Sequence, residues 1–238
     1  MAKIDKTQYT KEEFRKLKEQ RRAAKLSVVE TNEEILPTTI PTQVNAAFIL
    51  GNGTSRATVK SQELKTFGKV YGCNALYRTF DPDYLIAVDV KMVLEINKAG
   101  YQHKHTVWTN PNKSYQTMSN LNFFQPSKGW SSGPTALWLA SQHGYEKIFI
   151  LGFDYKGLDE GKKLNNMYAD TVNYKKSTEG ATFFGNWLRQ TVSVIKENPN
   201  IMFYRVIASD NYVPDELNKF VNMQHITIDT FKKMYSLS

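Results

Sequence analysis

The stretch Ala46-Ala47-Phe48-Ile49-Leu50-Gly51-Asn52-Gly53-Thr54-Ser55 decides how this chain folds. Five apolar residues without a charge read as a strand buried on both faces, as in parallel sheets. The strand stops at Gly51 and Gly53, which tolerate backbone angles that side chains forbid, so the chain can turn sharply there. The segment that follows, Thr54 to Phe67, has helical length, and Thr54 or Ser55 is its expected N-cap. A helix start aimed out of a strand-turn-helix unit offers unpaired amides to an anion. Asn52 adds a side-chain amide suited to a ribose or a base. The glycine pair is shorter than the full dinucleotide fingerprint, and it equally fits a tight turn in any α/β protein.

Outward from this unit the chain alternates strands and helices. Gly68 to Asn74 reads as a short second strand, and Tyr84-Leu85-Ile86-Ala87-Val88-Asp89 as a third with Asp89 at its carboxyl end. Lys91 to Ala99 is helical and Gly100 stops it. Thr106-Val107-Trp108 is strand-like, and residues 109 to 130 are expected to form an irregular surface. Ser131-Ser132-Gly133-Pro134 opens a helix from Thr135 to His143, with Pro134 suited to a first turn. Glu146 to Asp154 contains the clearest buried strand and ends on a second carboxylate, Asp154. A polar, lysine-rich stretch, 155 to 180, reads as a lid or binding loop. A helix from about Thr182 to Asn198 then leads to Met202-Phe203-Tyr204-Arg205-Val206-Ile207, the last core strand expected.

This alternation implies a doubly covered, mostly parallel sheet, and ligands of such sheets sit at the strands' carboxyl ends. Asn52, Asn74, Asp89, Ser131, Ser132 and Asp154 all fall at that edge or at helix starts facing it. Asp81-Pro82-Asp83 has the D-x-D spacing of metal-dependent sugar transferases, but it precedes its strand and is also plain turn chemistry. His103 and His105 would share a strand face with no third ligand nearby, so no metal is expected.

The N-terminal 45 residues read as a separate arm. Thr10 to Glu13 is a capping box opening a basic helix to about residue 25, and a linker with Pro37 and Pro41 follows. Residues 46–238 form the expected single domain. With 41% hydrophobic residues the chain can build a real core, and its +8 charge directs it toward an anionic partner. The lone Cys73 allows no intramolecular disulfide and no cysteine-based zinc site. No stretch approaches the ~20 apolar residues of a membrane span, and the expected location is the cytoplasm.

Three segments resemble one family, the bacterial lipooligosaccharide sialyltransferases and related glycosyltransferases that carry Gly-Asn-Gly-Pro-Ser after a strand. They are Ile49 to Ser55, Val70-Tyr71-Gly72-Cys73-Asn74-Ala75-Leu76-Tyr77, and Ser131-Ser132-Gly133 through Gly144-Tyr145-Glu146-Lys147-Ile148 to Leu151-Gly152-Phe153-Asp154. Order and spacing hold over roughly residues 46 to 210. The resemblance implies a Rossmann-like (GT-A-like) domain that transfers a sugar, with inversion and without a metal, from a UDP- or CMP-linked donor that serves as substrate, no other cofactor being expected. By resemblance Gly51, Asn52, Gly53, Thr54, Ser55 and Asn74 would hold the nucleotide, and Ser131, Ser132 and Gly133 the donor phosphate or sugar.

The family's tyrosines and histidine after the Gly-Phe-Asp-like strand are not matched. Lys156 stands where a tyrosine is expected, Tyr168 is loosely placed, and Phe184-Gly185-Asn186 holds no histidine. Asp89 replaces an asparagine and would repel a sialic acid carboxylate. The chemistry needs a base for the acceptor hydroxyl and positive or donating groups for the leaving phosphate. Asp89 or Asp154 would supply the first, and Lys156, Tyr155 and Tyr168 the second. The charge favours DNA as acceptor, with a sugar placed on a hydroxylated pyrimidine as phage DNA-modifying transferases do. A lipopolysaccharide or capsule glycan, or a non-catalytic nucleotide or nucleic-acid binder, are the alternatives.

Overall fold

Residues 46–50, the first of the apolar runs, form the central strand of the molecule. The computed structural model describes residues 45–181, 183–208 and 212–237. The basic helix and linker expected over residues 1–45 lie, but for Asn45, outside the described residues.

Eight strands make one sheet: β1 (Ala46–Leu50), β2 (Lys69–Cys73), β3 (Tyr84–Ile86), β4 (Val107–Thr109), β5 (Leu121–Phe123), β6 (Lys147–Leu151), β7 (Met202–Ile207) and β8 (Met223–Thr227). The order is β5-β4-β3-β2-β1-β6-β7-β8, and every pairing is parallel. The chain runs outward from β1 to β5, then crosses back to lay β6 on the other side of β1. That reversal places the topological switch point between β1 and β6, where open α/β sheets bind ligands.

Period-2 alternation assigns the core to two layers. Phe48, Leu50, Val70, Phe149 and Leu151 point to one face, which is covered by α1 (Ser61–Leu64), α2 (Val90–Lys98) and α5 (Ile228–Tyr235). There the rings of Phe48, Phe149, Phe231 and Tyr235 pack at centroid distances of 5.3 to 6.1 Å. Ala47, Ile49, Tyr71, Ile148 and Ile150 point to the other face, under α3 (Ser132–Ser141) and α4 (Gly185–Glu197). Both faces of β1 and β6 are thus dry, which is why these strands read as unbroken apolar runs.

Five expectations need correction. Thr54 to Phe67 is not one helix: it is a 3-10 turn, Thr54–Arg56, followed by the four-residue α1. Threonine, serine and valine are weak helix formers, and here the Thr54 and Ser55 hydroxyls bond to other segments. The third strand ends at Ile86, so Asp89 lies past it, as the N-cap of α2. The helix expected from Thr135 begins at Ser132. Residues 109 to 130 contain β5, and β7 is not the last strand, because β8 pairs with it along five residues. Among the described residues no helix is long and apolar enough to cross a membrane.

Candidate functional site

The two turns at the switch point touch backbone to backbone. Gly51 N–H donates to Leu151 O and Gly53 N–H to Gly152 O, at 2.8 and 3.0 Å. A Cβ on Gly51 would lie 2.6 Å from Gly152 O, and one on Gly53 2.7 Å from the same oxygen. Glycine is required here by close approach rather than by φ, since Gly53 sits in the extended region at −65°. Gly152 is held at φ +70°, where a side chain would be strained.

Above these turns opens a cavity of about 340 Å³. Its wall is built from the carboxyl ends of β1, β2 and β6, the start of α3, the start of α4 and the loop 155–181. Gly51, Asn52, Gly53, Asn74, Asp89, Ser131, Ser132, Gly133, Asp154, Tyr155 and Lys156 all line it. Cys73, Phe153, Asn165, Asn166, Tyr174, Lys175, Phe184 and Trp187 also line it, and they were not singled out as site residues from the sequence.

Asn52 is fixed by its own bonds. Its Nδ2 donates to Cys73 O at 3.3 Å and to the Tyr174 hydroxyl at 3.1 Å, and its Oδ1 is buried without a partner among the described residues. Asn74 stands at φ +52° and accepts a 2.7 Å hydrogen bond from Ser132 Oγ, which itself accepts from Val88 N–H at 3.1 Å. Ser132 therefore ties β2, the segment after β3, and α3 together. Ser131 caps α3 without a side-chain bond, and the first amides of that helix have no protein partner among the described residues.

The two carboxylates differ in occupation. Asp154 accepts from both the amide and the hydroxyl of Ser55, the amide at 3.1 Å. The Asp89 side chain is exposed in the cavity wall and makes no hydrogen bond among the described residues. Thr54 and Ser55 do not line the cavity. Thr54 donates from both its amide and Oγ1 to Asn165 Oδ1, at 2.9 and 2.8 Å, so the pair hold the turn rather than an anion.

The loop 155–181 is stapled down. Met167 N–H donates to Asn52 O at 2.8 Å, and Arg78, in a bidentate pair with Glu95, also reaches Thr171 and Val172. Tyr155 is buried at φ +53° with its hydroxyl donating to Thr191 Oγ1 at 2.7 Å, and Arg205 lies over its ring. Tyr168 is not brought to the cavity: it is buried in the core, its hydroxyl 2.9 Å from Thr79 Oγ1. Tyr174 occupies the wall instead. Its oxygen accepts from Asn52 Nδ2 and from Ala75 N–H, leaving its own proton to donate. Burial pushes its pKa up to about 12, so that proton is present at neutral pH. Lys156 lines the cavity with Nζ 5.9 Å from the Tyr212 ring.

Asp81-Pro82-Asp83 lies at the opposite, amino edge, where Asp83 accepts from Lys69 Nζ and Val70 N–H at 2.9 Å each. Among the described residues no group of three or more His, Cys, Asp and Glu side chains is placed to hold a metal ion.

No family model and no curated protein matches the chain. Among solved structures it is similar to Cst-I, a monofunctional alpha-2,3-sialyltransferase from Campylobacter jejuni. The identity is 12%, the match covers 79% of this chain and 83% of that one, and the TM-score is 0.48.

Proposed function

We propose that the chain is a nucleotide-sugar-dependent, inverting glycosyltransferase that works without a metal. One observation carries this reading. The three segments that resemble the glycosyltransferase family are far apart in sequence, and residues from all three line one cavity at the switch point of the sheet.

The chemistry follows from the groups that line the cavity. Asp89 is the base for the acceptor hydroxyl, since its carboxylate makes no hydrogen bond among the described residues, whereas Asp154 is bound to Ser55. The Tyr174 hydroxyl donates to the leaving nucleotide phosphate, and Lys156 adds a point charge. The amides that open α3 face the same space and suit a phosphate. Asn52 and Asn74 hold the nucleotide beside the glycine turn.

The acceptor in this reading is a hydroxylated pyrimidine in DNA. The +8 charge supports it, and most of the excess lies in residues 45–238, because residues 1–44 hold nine basic and seven acidic side chains. Phe184 and Trp187 in the cavity wall, with Phe183 75% exposed beside them, offer rings on which an extruded base can stack. The same rings suit a sugar, which keeps a lipooligosaccharide or capsule acceptor as the second reading. Hydroxymethylcytosine DNA and a lipooligosaccharide are incubated separately with UDP- and CMP-sugars, and the products are weighed by mass spectrometry. A hexose- or pentose-sized gain on the base supports DNA. Gain on the glycan alone overturns the DNA acceptor and retains the transferase.

A further inference from the structure

Behind the glycine turn lies a buried cation. Arg56 ends the 3-10 turn after β1 and is 4% exposed. Its Nε donates to the carbonyl of Gly51, and among the described residues its buried Nη2 has no partner and no carboxylate pairs with it. A guanidinium taken out of water without a counter-charge is costly, and an anion bound close by would offset that cost. Arg56 stands directly behind the floor of the cavity. A Cβ on Gly152, which lines that floor, would lie 3.1 Å from Arg56 Cδ.

The bond to Gly51 has a geometric consequence. Across a trans peptide the carbonyl and the next N–H point in opposite directions. With Gly51 O drawn back to Arg56, the Asn52 N–H faces the other way, and it has no partner among the described residues. The unpartnered amides of Ser132 and Gly133 open α3 on the same cavity.

We propose that Arg56 is the positioning residue of a phosphate site at this turn. It fixes the Gly51–Asn52 peptide so that the Asn52 N–H meets the phosphate of a nucleoside mono- or diphosphate, and it supplies a buried positive charge from behind. The proposal rests on the nucleotide reading of the cavity and adds to it a residue that does not line the wall.

Calorimetry on the full chain tests it with paired probes: UDP against uridine, CMP against cytidine, and inorganic pyrophosphate. Arg56→Met should weaken the phosphate-bearing ligands at least tenfold and leave the nucleosides within about twofold, a split that a merely structural role would not produce. Arg56→Lys, which keeps the charge, should recover part of the loss and guards against a Met variant that fails to fold. Nucleotides and nucleosides weakened alike, or neither changed, overturn the assignment. Nucleosides that bind the wild type as well as nucleotides also overturn it, while leaving the nucleotide cavity in place. Arg56-dependent pyrophosphate binding without any nucleoside binding upholds the phosphate site and sinks the nucleotide reading. No binding of any probe sinks both.

Discussion

Ser55 and Asp154 lock the two switch-point turns together: the amide and the hydroxyl of Ser55 both donate to the Asp154 carboxylate. One residue follows β1 and the other follows β6, so the pair joins segments 99 residues apart. A carboxylate in this position does structural work. Asp154→Ala should cost about 2–4 kcal/mol of stability, because hydrogen bonds to charged groups are among the stronger ones and Ser55 is left with unpaired donors. Ser55→Ala should cost part of the same energy, and the double variant less than the sum. Urea unfolding of the four proteins checks this. Additive losses would mean that the two residues act separately.

Asp89 is the opposite case. Because the Asp89 side chain makes no hydrogen bond among the described residues, Asp89→Asn should leave stability within about 0.5 kcal/mol and, as loss of a general base, lower turnover by about 10²–10⁴-fold. Parallel melting curves and initial rates separate the two effects. Full activity in Asp89→Asn would move the base elsewhere.

The central strands were legible because their environment is uniform. β1 and β6 are buried on both faces, so nothing polar interrupts Ala46–Leu50 or Lys147–Leu151 past its first residue. The carboxyl edge was legible for the same reason, since each run ends where the glycines and polar residues begin. The edge strands were not. Leu121–Phe123 is three residues long, and both it and Met223–Thr227 are half-exposed, which leaves little pattern. The segment after Gly53 carried N-cap residues that served a turn instead, because Ser55 found Asp154 and Thr54 found Asn165. Tyr168 and Tyr174 could not be told apart in a loop whose path is set by bonds to distant residues, such as Met167 N–H to Asn52 O. The Asn165-Asn166 pair was the one local hint of a polar wall there. Arg56 had no signal at all, since a basic residue after a turn ordinarily reads as solvated.

Asn52 and Tyr174 should act as a unit on the nucleotide. Asn52→Ala should weaken nucleotide binding by about 1–3 kcal/mol. Tyr174→Phe removes the acceptor for Asn52 Nδ2 and Ala75 N–H, and it should lower affinity and turnover together. Calorimetry with each variant and with the pair checks this. Unchanged affinity in a well-folded Asn52→Ala variant would remove the nucleotide from the glycine turn.

His225 predicts a dependence of stability on pH. It lies beside Arg205 on the neighbouring strand, with both ring nitrogens buried and without a hydrogen-bond partner among the described residues. Burial first, and the Arg205 charge second, push its pKa from 6.5 down to about 4. Between these values the unfolded chain binds a proton that the folded chain refuses. Stability is therefore full above the unfolded pKa and falls as pH drops toward 4, by at most about 1.4 kcal/mol per unit. Denaturant midpoints at several pH values should show this slope in the wild type and a shallower one in His225→Phe. Parallel slopes would rule His225 out as the source.

The claim that this cavity transfers sugar from a nucleotide is tested most directly by nucleotide release. Candidate UDP- and CMP-sugars are incubated with the protein in EDTA, with hydroxymethylcytosine DNA or a lipooligosaccharide as acceptor, and free nucleotide is quantified by anion-exchange chromatography. Acceptor-dependent release of UDP or CMP that persists in EDTA and is lost in Asp89→Asn is the expected result. Absence of nucleotide release with either acceptor, from a protein that also binds no nucleotide, would contradict it.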